Sequence, residues 1–172
     1  MKKSMLVLLT LVPVAVGLVV NFTLFVPVVG SLLFFLLPLA TTIFWFYLGS
    51  QYACSGWNAP CSILIGNAVG ILSLAVYVWQ CVFLTDENVN LFLAAASQMF
   101  SAATPTYLFG RLAMLFEAQL NYIGEATALA LQVIAVLYMI VIFGCGYAWG
   151  REPPSVRSLP EGTAVKRGMG YG

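Results

Sequence analysis

Five charged residues, Asp86, Glu87, Arg111, Glu117 and Glu125, stand between Lys3 and Arg151 in a chain of 172 residues. An ionisable group beside long apolar stretches usually has a partner or a purpose, because an unpaired charge in hydrocarbon is costly. Arg111 and Glu125 are the pair to watch. If the segment between them and the third apolar stretch folds back over the chain, they meet at the mouth of a cavity. Otherwise both lie at a boundary with water, the Arg111 stem covering apolar surface. Arg111 and Glu117 are six residues apart, about 240° around a helix, so they do not pair directly.

Three amides, Asn67, Gln80 and Gln132, lie inside otherwise apolar runs. With Arg111 and Glu125 they form the candidate lining of a polar cavity. The competing reading is that the amides tie helices together, each bridge contributing roughly 0.6 to 2 kcal/mol. The stretch from Ser62 to Gln80 bears on this choice. Ser62, Gly66, Gly70, Ser73, Tyr77 and Gln80 recur every three or four positions and share one narrow helical face. Such a small and polar stripe serves close helix contact, and Ala128, Gln132, Ala135 and Gly146 make a second one. The expected packing seam therefore comprises Ser62, Gly66, Gly70, Ser73 and Gln132, with function at its outer end.

Other chemistry is sparsely represented. The chain has no histidine, which removes the commonest metal ligand, the usual haem ligand and the usual general base. No catalytic set, metal site or cofactor is expected. Asp86-Glu87 reads as a helix cap, since adjacent residues diverge by about 100°. Cys54 and Cys61 flank the loop SGWNAP and invite a thiol oxidoreductase reading. Their spacing is not C-x-x-C, and the topology below puts them in a reducing compartment. Cys81 and Cys145 read as small apolar fillers.

The elements that must position these residues follow from composition. Apolar residues make up 62% of the chain and charged ones 8%, with mean hydropathy +0.97, against about 25% charged in a soluble domain. The fold class expected is an all-α integral membrane protein, a four-helix transmembrane bundle with amphipathic helices between the third and fourth spans. Spans are placed at 4–24, 31–50, 61–84 and 125–149 within a domain of residues 1–150. The first has the outline of a signal peptide but is too long in its apolar part and lacks a cleavage site, so it reads as an uncleaved span. Asn21-Phe22-Thr23 fits the glycosylation pattern at that span's end. Residues 85–124 are the changed region, with a helix through Asn90 to Ser101, a reset at Thr104-Pro105 and a second short helix to about Gln119. The tail 151–172, rich in Pro, Gly and charge, reads as flexible.

Lys2, Lys3 and the basic tail place both ends in the cytoplasm, which requires an even number of crossings. Residues 85–124 then lie at the outer face of what is expected to be a bacterial plasma membrane, as interfacial helices or a shallow re-entrant hairpin. The net charge of +1 excludes a basic field for nucleic acid. Expected partners are membrane lipids and a second copy or another membrane protein. The leading functional expectation is action through helix contacts, as a homo-oligomer or accessory subunit. A transporter or channel component for a small solute or ion is the alternative, with the thiol oxidoreductase third. Enzymatic activity is not the expectation.

Overall fold

The computed structural model describes residues 2–23, 26–84, 86–113 and 123–151, apart from the side chains of Asp86, Arg111 and Leu112. All regular elements among the described residues are helical: α1 (Lys3–Leu9), α2 (Val12–Thr23), α3 (Val29–Ala53), α4 (Ala59–Val78), α5 (Leu91–Ala102), α6 (Thr106–Ala113) and α7 (Glu125–Arg151). Four stretches are long and apolar enough to cross a membrane: Lys3–Thr23, Val29–Ala53, Ala59–Phe83 and Glu125–Arg151. They lie within a few residues of the expected spans.

Local chemistry explains where the boundaries moved. The first stretch is not one helix. It breaks at Thr10-Leu11, just ahead of Pro13, whose ring and missing N–H disfavour a continuous ladder. The Thr10 hydroxyl closes the end of α1 by donating to the Val7 carbonyl at 2.7 Å. Between α2 and α3 the chain turns tightly at Pro27-Val28, where Val28 has φ 65° and the Val29 N–H donates to the Pro27 carbonyl at 2.7 Å. A positive φ at a β-branched residue is strained. Pro38 sits inside α3, and Thr41 and Thr42 return their hydroxyls to the Leu37 and Pro38 carbonyls. The loop to α4 turns at Gly56, with φ 77°, and Asn58 caps α4 through the Cys61 N–H. At its far end α4 widens into a π-helical turn, Trp79–Phe83.

Around the bundle the order is α2, α3, α7, α4 and α5, with α5 closing the ring between α4 and α2. It closes only one half of that gap. In the other half α1 packs against α3 and α4 and sends Leu6 into the core. The break ahead of Pro13 thus lets one stretch serve both halves: α1 fills the lower gap while α2 runs beside α5. The core gathers Trp45, Leu48, Tyr52, Phe100, Val136, Met139, Phe143 and Tyr147.

The most extensive contact is between α3 and α7. A Cβ placed on Gly49 would strike the Phe143 carbonyl, and one on Gly146 the Phe46 carbonyl. On Gly150 it would lie 2.6 Å from the Ser50 carbonyl. Gly146-x-x-x-Gly150 is a small-x-x-x-small pair that lets the two backbones touch. Beside this seam Tyr138 donates to Thr42 at 3.1 Å and Tyr147 to the Trp57 carbonyl at 3.2 Å. Lys3 lies 5.3 Å over the Trp57 ring, and Arg151 packs on Tyr147, so the start of α1, the last residue of α7 and the α3–α4 loop share one end of the bundle.

Candidate functional site

The opposite end is organised by the α5–α6 hairpin, which enters the bundle from that end and turns back at mid-length. Its entry is fixed by Gln80, buried in the π-helical turn, whose Oε1 accepts the Asn90 N–H at 2.8 Å. The widened turn brings Gln80 inward at the point where the hairpin begins, which is a common use of such turns. Asn90 then caps α5, accepting from the Phe92 and Leu93 N–H groups at 3.1 and 3.2 Å. The cap expected at Asp86-Glu87 is therefore supplied by Asn90, and Asp86–Asn88 forms a separate 3-10 turn.

Going inward, α5 crosses α2 where a Cβ on Gly17 would strike the Met99 carbonyl. It crosses α4 where the Ser73 hydroxyl donates to the Ser97 carbonyl at 2.6 Å. Phe100 ends the descent against Gly70, where an added Cβ would lie 2.6 Å from the ring. Gly70 stands eleven residues from Ala59 and thirteen from Phe83, the two ends of its stretch, so Phe100 has reached mid-length. The turn at Ala103 and Thr104 is fully buried. Its polar groups are met locally: Thr104 donates to the Ser101 carbonyl at 2.7 Å and its Oγ1 lies 2.5 Å from that of Thr106. On the way back Tyr107 donates to Asn21 at 3.4 Å and packs on Phe34, joining α6 to α2 and α3.

The faces of α5 are inverted relative to a helix lying on water. Ala94, Ser97 and Ser101 are buried, whereas Leu91, Phe92 and Leu93 are exposed. Phe100 is buried in the core beside Trp45.

Behind the hairpin lies a cavity of about 90 Å³, lined by Tyr77 of α4, Gln98 and Ser101 of α5, Thr106, Tyr107 and Gly110 of α6, and Ile123, Ala128, Leu131 and Gln132 around α7. Of the expected polar lining, Gln132 is the one found among the described lining residues. Asn67 is 1% exposed, accepts from the Trp45 indole N–H at 3.1 Å and donates to the Ile63 carbonyl at 2.9 Å. It is a satisfied core amide. Gln80 pins the hairpin, and Glu125 is exposed in the first turn of α7, within electrostatic reach of Tyr77 and Cys81. The backbone of Arg111 belongs to α6, but its side chain and all of Glu117 lie outside the described residues, as does the tail beyond Arg151.

Searches against family models, curated proteins and solved structures find no match to this chain.

The stripe on α4 is occupied ring by ring. Gly66 receives Phe143 of α7, and Gly70 receives Phe100 of α5. Ser62 is fully buried with its hydroxyl unpartnered among the described residues, as is that of Tyr52. Cys54 and Cys61 are free and exposed, and no group of metal-ligating side chains occurs among the described residues. Sequence reasoning missed three participants: Gly17, the Gly49 to Gly146 contact, and Asn21. Gly146-x-x-x-Gly150 was a readable signal for the second. Asn21 sits inside α2, its amide donating to the Gly17 carbonyl and the Met99 sulphur, and so is already engaged.

Proposed function

We propose that this chain is a four-span integral membrane protein that works through helix contacts, as a homo-oligomer or as an accessory subunit of a membrane complex. The α5–α6 segment is then a re-entrant hairpin, and the end carrying Lys2, Lys3 and Arg151 faces the cytoplasm by the positive-inside rule. Re-entrant backbone is tolerated at membrane depth where protein covers it, and the buried turn at Ala103 and Thr104 fits that condition.

The observation that carries the reading is the dry centre. Trp45 stands 6.2 Å from Phe100 and 6.1 Å from Phe143, ring centroid to centroid, and its indole closes on Asn67. A conduit for ions or solutes would need water or a mobile plug at this level, and packed aromatic rings with a satisfied amide offer neither. Gln132 lines the cavity behind the hairpin, and none of these three rings is among its described lining residues.

The test is native mass measurement of the full chain released from membranes in mild detergent. A defined multimer or a stoichiometric second protein supports the proposal. A bare monomer that also conducts ions or small solutes in liposomes overturns it in favour of transport.

A further inference from the structure

The cavity behind the hairpin has a feature that packing does not explain. Gln132 lines it, is only 4% exposed and makes no hydrogen bond to another described residue, and unlike the sealed hydroxyls of Tyr52 and Ser62 its amide opens onto the cavity. A buried amide is normally satisfied, and an unpaired one is costly enough to be rare. The other two intraspan amides obey the rule, Asn67 through Trp45 and Ile63, and Gln80 through Asn90. Nearby hydroxyls are already committed as donors or paired: Ser101 to the Gln98 carbonyl at 2.9 Å, and Thr106 with Thr104. The Gln132 carboxamide thus offers two donors and one acceptor to whatever enters.

Size and charge narrow the occupant. At about 90 Å³ it has room for several waters and is well below a cavity that takes benzene. None of the described lining residues is charged, and Ile123, Leu131, Ala128 and Gly110 supply apolar walls. An ion would be poorly solvated there. A neutral molecule with adjacent donor and acceptor groups can form a paired amide contact with Gln132. Gln98, exposed while also lining the cavity, marks the side from which it enters.

We propose that this cavity binds a small uncharged molecule carrying both a hydrogen-bond donor and an acceptor, of the size and class of urea or a simple primary carboxamide, with Gln132 as its anchor. The site does not depend on how the outer faces of the bundle are used.

The experiment is saturation-transfer NMR on the full chain in lipid nanodiscs, with acetamide and urea as probes, N,N-dimethylformamide as a similar-sized probe without a donor, and acetate as a charged one. Transfer to acetamide or urea that saturates, at least tenfold stronger than to acetate or dimethylformamide, supports the proposal. Gln132→Leu keeps the volume and removes the amide; it should weaken binding at least tenfold without lowering the thermal midpoint. Ala128→Leu fills the cavity while keeping Gln132, should also abolish binding, and decides the matter if Gln132→Leu does not fold. No saturable transfer means that the cavity holds water alone and overturns the proposal. Equal transfer in wild type and Ala128→Leu, or a preference for acetate, overturns it as well.

Discussion

Where α3 meets α7, glycine faces backbone: Gly49, Gly146 and Gly150 leave no room for a side chain, and what they touch are carbonyl groups that cannot move aside. Where the hairpin meets α4, glycine faces a ring, and single hydrogen bonds at Gln80 and Ser73 hold the register. The first contact builds a tightly packed seam toward the end that carries Lys3 and Arg151. The second wedges a short helix pair into the other end and leaves a cavity behind it. The difference teaches that apolar helices can be joined either by eliminating side chains or by placing a few polar pins, and that the second way leaves space.

Substitutions at the two contacts should separate these modes. Gly146→Leu at the α3–α7 seam should have the largest effect, a loss of about 3 kcal/mol or more, because overpacking against backbone cannot be relieved by a rotamer change. Detergent-solubilised protein should show it as a collapse of the thermal midpoint. Replacing Phe46 should not restore stability, because the carbonyl rather than the ring is in the way. Gly70→Ala should cost about 1 to 3 kcal/mol, and here Phe100→Leu in the same chain should recover part of the loss. A double-mutant cycle with no coupling would erase the distinction between the two contacts.

Removing the hairpin's pins should matter less. Gln80→Leu leaves the Asn90 N–H without its acceptor and should cost about 1 to 3 kcal/mol, with faster amide exchange confined to the start of α5. Exchange that speeds equally in α3 would mean the hairpin is not a separate unit. The smallest pair has opposite signs. Ser73→Ala loses its bond to Ser97 and should lower stability by about 0.6 kcal/mol, whereas Ser62→Ala removes an unpartnered buried hydroxyl and should leave stability unchanged or slightly raised.

Legibility in the sequence followed the range of the governing force. Four long apolar stretches were readable because length and composition decide them, and their ends shifted by a few residues where caps such as Asn58 act. The stripe on α4 was readable as a face, but periodicity is silent on which neighbour fills it, here Phe143 in one place and Phe100 in another. Gln80 and Asn67 were visible as buried amides, yet their partners, Asn90 and Trp45, are fixed by tertiary placement. The path of residues 86–113 was least legible. The same amphipathic pattern suits a helix lying flat or one plunging inward, and the choice falls to Gly17, Gly70 and the break ahead of Pro13, which make room for it.

Depth therefore tests the central claim most directly. Spin labels at Leu91, Ala95 and Gln98, one at a time on a cysteine-free chain in lipid bilayers, report immersion through their relative accessibility to oxygen and to a water-soluble nickel chelate. A re-entrant α5 predicts steadily deeper positions, with about 10 Å between Leu91 and Gln98 at 1.5 Å rise per residue. Labels at one shared depth near the surface would mean that α5 lies flat on the bilayer, and the account of a hairpin turning at mid-membrane would be wrong.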